Sequence, residues 1–174
     1  LLQWDRALLK LINSKWHNDF FDSLLPVLRN QNTWTPLYIV LLVFVIVRYK
    51  TTRWWWIAYA ASTVIITNFI SSGLIKHNII RLRPCNDPLN AGWIRLFEGI
   101  YLPQSSSFTS SHAANHFGIA MFFYLTFKND FKPWPLLFFV WAASIGYAQM
   151  YIGVHYPIDI LGGTMVGLAA GYCT

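Results

Sequence analysis

Five apolar stretches separated by polar joints govern what this chain can become. They cover residues 34–48, 54–80, 111–127, 135–152 and 157–172. A helix rises about 1.5 Å per residue, so runs of this length are on the scale of a hydrocarbon layer of about 30 Å. The first, with its core from Pro36 to Val47, is short but extends through Trp34 and Tyr49, and the second is long enough to cross with tilt. Inside lipid each segment must satisfy its own backbone hydrogen bonds, which restricts such runs to helices. Charged residues make up only 11% of the chain and hydrophobic ones 55%, where a soluble domain carries about 25% charged residues. The expected fold is therefore all-α: one domain over residues 1–174, a multi-pass transmembrane helical bundle.

Residues 1–32 differ from the rest. Leu8, Leu9, Ile12 and Trp16 fall at helical spacing among charges, the pattern of one or two amphipathic helices lying at the interface. Trp54, Trp55 and Trp56 beside Arg53 suit an interfacial aromatic belt. Leu1 to Leu11 is interrupted by Asp5, Arg6 and Lys10 and does not read as a cleavable signal sequence. At the other end the chain stops at Thr174 inside an apolar run, as a segment that continues would. Counting crossings puts the joints at 49–53 and 128–134 on one face, and the polar loop 81–109 with the joint 153–156 on the other. The first face carries Arg48, Lys50, Arg53, Lys128 and Lys132 and is expected to be cytoplasmic, although Arg6, Lys10, Lys15 and Arg29 fall on the opposite side. Cys85 and Cys173 lie on opposite faces, which argues against a disulfide between them. The net charge of +6 is scattered singly through apolar sequence, unlike the footprint of a nucleic-acid partner.

Two stripes predict how the segments pack. Thr63, Thr67 and Ser71 recur every four residues, as do Gly163, Gly167 and Gly171. Small or hydroxylated residues on one face let helices approach closely.

The chemistry-bearing residues all arrive at one end of this bundle. Lys76 and Arg83 follow the second run, Ser110, Ser111 and His112 open the third, Gln149 and His155 close the fourth, and Asp159 opens the fifth. Pro157 suits the first turn of a helix, which puts His155 just ahead of it and Asp159 within it. A carboxylate there can fix the imidazole tautomer and leave the other nitrogen free to attack. Serines and free N–H groups at a helix start bind anions, a nearby histidine can protonate a leaving oxygen, and arginine forks match phosphate oxygens. Each cluster alone has an ordinary explanation: Asp159, Ser110 and Ser111 as helix caps, Lys76 as a snorkelling interfacial lysine, Arg81 and Arg83 as headgroup contacts. His116, one turn beyond His112, reads as core or as support for it.

Taken together, Lys76-x6-Arg83-Pro84, Thr109-Ser110-Ser111-His112 and Gln149-x5-His155-x3-Asp159 resemble the signature of the type 2 phosphatidic acid phosphatase superfamily, which also contains the vanadium haloperoxidases. That signature reads Lys-x6-Arg-Pro, Pro-Ser-Gly-His and Ser-Arg-x5-His-x3-Asp, and the likeness covers residues 54–172. The resemblance implies a metal-independent phosphatase without a cofactor. It gives His155 as the nucleophile, Asp159 as its orienting partner and His112 as the acid. Lys76, Arg83, Ser110, Ser111 and Gln149 would hold the phosphoryl oxygens. Two departures stand out: Ser111 replaces glycine, and Gln149 replaces arginine. For the second, either Arg81 or another nearby cation compensates, or the phosphate is held less tightly, or catalysis is weak.

A site at the membrane surface implies a substrate with its phosphate in water and its tail in lipid. The resemblance implies polyprenyl diphosphates, phosphatidic acid, phosphatidylglycerol phosphate or lipid A phosphates, with the first favoured, and the charge distribution across the two faces makes the site extracytoplasmic. The rival is a phospholipid-binding or transport protein that keeps the fold without the chemistry. The haloperoxidase branch is soluble, and a pore would line a path with ionisable residues rather than gather them at one face.

Overall fold

The computed structural model describes residues 2–174, whose regular elements are all helices with no strand among them. Two short helices come first: α1, Leu2–Lys10, and α2, Asp19–Arg29, the latter capped by the Asn18 side chain accepting from Phe21 N. Five longer ones follow: α3, Thr35–Arg48; α4, Arg53–Asn78; α5, Ser111–Phe127; α6, Leu137–Tyr151; and α7, Pro157–Cys173. These coincide with the five apolar runs to within a few residues. Prolines mark the starts of α3 and α7, where the missing N–H costs nothing. Residues 79–110 hold only short turns, among them Pro84–Asn86 and Pro88–Asn90.

Gln31–Arg48 and Arg53–Asn78 are long and apolar enough to cross a membrane. Their burial pattern is inverted relative to a protein folded in water. On α4 the buried positions are Thr63, Thr67 and Ser71, while Ile65 and Phe69 are exposed; on α3 only Val45 is buried, and Val40 and Val47 stand 64% exposed. Apolar surface this continuous is rare on a soluble monomer, and lipid is the solvent that stabilises it.

Both predicted stripes do the packing. Thr67 Oγ1 donates to Asn115 Oδ1 of α5 at 2.7 Å, Ser71 Oγ sits 3.0 Å from Ser111 Oγ, and Thr63 Oγ1 meets Thr174 Oγ1 at 2.6 Å. The closest helix pair is α5 against α7. A Cβ on Gly167 would lie 2.4 Å from Ala114 O, and one on Gly171 only 2.2 Å from Gly118 O. Only glycine allows the two backbones to touch there.

At one end of the bundle the joint after α3 meets the joint after α5, where Tyr49 Oη donates to Asp130 Oδ2 at 2.8 Å. Beside it, Trp56 stacks on Phe123 at 5.6 Å. The N-terminal helices pack at the opposite end. Their Asp5, Arg6 and Asp22 form ion pairs with Arg81, Asp87 and Arg95 of the long loop. Ile12 and Leu25 join Ala148, Tyr151, Ile152 and Val154 in one buried cluster.

Candidate active site

The turn from α6 to α7 delivers His155. Gly153, at φ +81°, lets its own N–H reach Met150 O and the next N–H, of Val154, reach Gln149 O. This left-handed closure of a helix turns Val154 and His155 inward, and both are buried. Asp159, in the first turn of α7 and fully buried, places Oδ2 3.5 Å from His155 Nδ1. The same oxygen accepts from Tyr156 N at 2.8 Å, so Asp159 is a helix cap and a histidine partner at once.

The other imidazole nitrogen, Nε2, lies 3.0 Å from Arg83 Nη1. A guanidinium can only donate, so Nε2 carries the lone pair and Nδ1 the proton. Arg83 is itself buried, held by Ser105 O at 2.9 Å, Ser105 Oγ at 3.1 Å and Val154 O at 3.2 Å. Its hydrogen-bond partners are all neutral. Burial pushes the His155 imidazole down to about 4, with the Asp159 hydrogen bond opposing and the Arg83 charge reinforcing the shift. His155 is therefore neutral near pH 7, the form that can attack an electrophile.

The remaining predicted residues surround this pair. Lys76 ends α4, half-buried, within electrostatic range of Arg83, Asp159 and His155. His112 opens α5, within electrostatic range of His155 and Lys76. Its ring lies parallel to that of His116, whose Nδ1 bonds the His112 carbonyl at 2.7 Å. Ser110 caps α5 through its hydroxyl, and its N–H donates to Asp159 O at 3.0 Å, which ties the start of α5 to the start of α7. Ser111 turns its hydroxyl towards Ser71 and Ser72 of α4 at 3.0 and 2.8 Å. Gln149 is buried, and its amide nitrogen has no hydrogen-bond partner among the described residues. No group of three or more His, Cys, Asp or Glu placed to hold a metal ion is found among those residues either.

Residues 53–174 match the PAP2 superfamily. The chain belongs to that family. A lipid A 4′-phosphatase of Porphyromonas gingivalis is 29% identical over 173 residues, covering 99% of this chain and 72% of the relative. The crystal structure of Aquifex aeolicus LpxE superposes with a TM-score of 0.70 at 22% identity, over 97% of this chain and 92% of that one. The transmembrane PAP2-type phosphatidylglycerolphosphate phosphatase of Bacillus subtilis gives 0.67 at 18%, over 99% and 83%. At such identities these two structures speak for the fold, which is a membrane one.

Three residues outside the PAP2 signature reading complete the site. Ser107 donates its hydroxyl to Asp159 Oδ2 and lies 3.5 Å from His155 Nδ1. Arg81 bridges two buried carboxylates, Asp159 Oδ1 and Asp5 Oδ2, each at 2.5 Å, with its guanidinium 4.2 Å from the Tyr156 ring centre. Asp5 also accepts from Ile158 N at 2.9 Å. Arg81 is thus committed to carboxylates and is not the spare cation that Gln149 calls for. Nothing local marked Asp5 or Ser107, because their partners lie 76 and 52 residues away.

Proposed function

We propose that this protein is a metal-independent membrane phosphatase acting on a lipid phosphate through a phosphohistidine on His155. The observation that carries the reading is a buried, neutral His155, with Nδ1 towards Asp159 and Nε2 beside Arg83, in a PAP2 chain. In the first step Nε2 attacks phosphorus and the bond from phosphorus to the lipid oxygen breaks. His112 in its protonated form gives its proton to that oxygen. His112 then takes a proton from water, whose oxygen attacks phosphorus, and the bond to Nε2 breaks to release inorganic phosphate. Asp159, steadied by Ser107 and Arg81, balances the charge that develops on His155. Lys76, Arg83, Ser110, the backbone at Ser111 and the Gln149 amide hold the phosphoryl oxygens, as preorganised donors do where charge accumulates.

The likeness to a lipid A 4′-phosphatase supports a phosphorylated saccharolipid as the substrate class. Five helices crossing the bilayer, with the site on the extracytoplasmic side, is the topology that fits. The basic residues Arg48, Lys50, Arg53, Lys128 and Lys132 cluster at the far end.

The test is phosphate release in detergent from lipid A, polyprenyl diphosphate, phosphatidylglycerol phosphate and phosphatidic acid, with a chelator present. Release should survive the chelator and disappear in His155→Ala. Quenching the reaction of a phosphate-labelled substrate in alkaline detergent should trap an alkali-stable, acid-labile phosphoprotein in the parent and none in His155→Ala. Absence of release from every lipid would favour a binding protein that keeps the fold.

A further inference from the structure

Arg29 is the last residue of α2. It lies one turn after Leu25, which is buried in the cluster with Ala148 and Val154, a cluster also bordered by Leu28 and Cys85. That spacing puts Arg29 on the side of α2 that faces the end of α6, where Gln149 sits. Beyond it the chain folds back, held by Trp34 Nε1 donating to Leu28 O at 2.9 Å. Gln31 and Asn32 then line a cavity of about 590 Å³ together with Asn115 and His116, one turn below His112. The end of α2 is thereby bounded by the Arg83–Cys85 loop on one side and the start of α5 on the other. Arg29 lies within electrostatic range of Arg83, Cys85 and His112.

This guanidinium is half-buried and has neither a hydrogen bond nor an ion pair among the described residues. The nearby buried carboxylates are taken: Asp5 and Asp159 by Arg81, Asp87 by Arg6. Arg29 and Lys76 each lie within electrostatic range of Arg83, and none of the three has an ion pair among the described residues. Unpaired charge removed from water is costly, and an anion bound among the three removes the penalty. A second observation points to the same ligand. The Gln149 side-chain amide is buried with a donor that has no acceptor.

We propose that Arg29 is a phosphate-binding residue, a guanidinium brought from α2 to supply the positive charge that Gln149 lacks. The proposal rests on the phosphatase reading and adds to it a ligand from outside the family signature. An arginine fork can take two oxygens of one phosphoryl group, which a neutral amide cannot match in strength.

The variants are Arg29→Gln, Arg29→Lys and the double variant Arg29→Gln with Gln149→Arg, assayed for lipid phosphate release and for inhibition by orthovanadate. Arg29→Gln should lower kcat/KM by about 10²-fold, the usual loss for one such donor, and weaken vanadate inhibition at least about tenfold. Arg29→Lys should keep part of both, because it retains the charge without the fork. The double variant should recover about tenfold or more by returning a guanidinium through α6. Values for Arg29→Gln within about threefold of the parent overturn the proposal. So does a loss of activity with unchanged vanadate inhibition and no rescue, which would make Arg29 a packing residue. Should the parent release no phosphate from any lipid, the phosphatase reading fails on its own. Vanadate-induced thermal stabilisation then decides the role of Arg29. A shift seen in the parent and lost in Arg29→Gln supports it; equal shifts, or none in either, overturn it.

Discussion

Replacing Asp5 should damage a site from which it is remote in sequence. Its carboxylate is fully buried and does two jobs, taking Arg81 Nη2 at 2.5 Å and the Ile158 N–H at 2.9 Å. Asp5→Ala deprives Arg81 of one of its two carboxylates and leaves an unsatisfied donor in the first turn of α7. Removing one partner of a buried ion pair costs about 3–5 kcal/mol. Arg81 retains Asp159 and is 17% exposed, which argues for the lower part of that range. Losing a helix-start acceptor adds about 1 kcal/mol. The expected total is about 4 kcal/mol. A chain of this size shifts in Tm by about 2–4 °C per kcal/mol, so tryptophan-fluorescence melting in detergent should show a fall of about 8–16 °C. Asp5→Asn should show a smaller drop, since its amide oxygen can still accept from Ile158 N. Its kcat should nonetheless fall, because Arg81 no longer divides its charge between two carboxylates and Asp159 loses part of its hold on His155. An Asp5→Ala protein melting within about 2 °C of the parent would refute this account of how α1 supports the site.

Other perturbations give separate tests. Because His155 is held down to about 4, the acid limb of kcat/KM should fall near pH 4; a limb at pH 6–7 would contradict the buried neutral imidazole. The same shift makes the contribution of His155 to stability complete above pH 6.5 and progressively lost as pH falls towards 4. In that window the unfolded chain takes up a proton that the folded protein refuses, and melting across it should show the decline. Ser107→Ala should lower kcat about tenfold with little change in KM, by freeing the carboxylate oxygen that faces His155. Gly167→Val, whose Cβ would lie 2.4 Å from Ala114 O, should cost upwards of about 3 kcal/mol or prevent folding. Gly92→Ala, with nothing within 4 Å, should leave melting and activity as they were.

Much of this architecture was legible in the residues themselves. The apolar runs became helices α3 to α7, since in lipid hydropathy and helix formation are the same constraint. The stripes of Thr63, Thr67 and Ser71 and of Gly163, Gly167 and Gly171 found their partners because a four-residue period fixes a helix face whatever lies across it. Lys76, Arg83, His155 and Asp159 were visible through their spacing. What could not be read was how distant segments share their charges. Asp5, Arg6 and Asp22 look like the polar side of interfacial helices, yet each pairs with the long loop. Arg81 and Arg29 look alike in sequence; one is enclosed by two carboxylates and the other is left without any. Ser111 shows the same limit on a smaller scale. Its place beside His112 says nothing of where its hydroxyl turns, and that hydroxyl bonds to Ser71 and Ser72 of α4.

The contact between α5 and α7 separates the site into two mechanical parts. His112 and His155 stand at the heads of two rods welded side by side at backbone distance, so the gap between the proposed acid and the proposed nucleophile is set by main chain and not by any adjustable side chain. The cations sit on other members: Lys76 on α4, Arg83 on a loop, Arg29 on α2. Such a layout lets the positive rim be rebuilt from whichever neighbour can reach it while the spacing of the two imidazoles stays calibrated. On the proposed mechanism, a replacement such as Gln149 alters how the phosphate is gripped and leaves the spacing of the two histidines where it was.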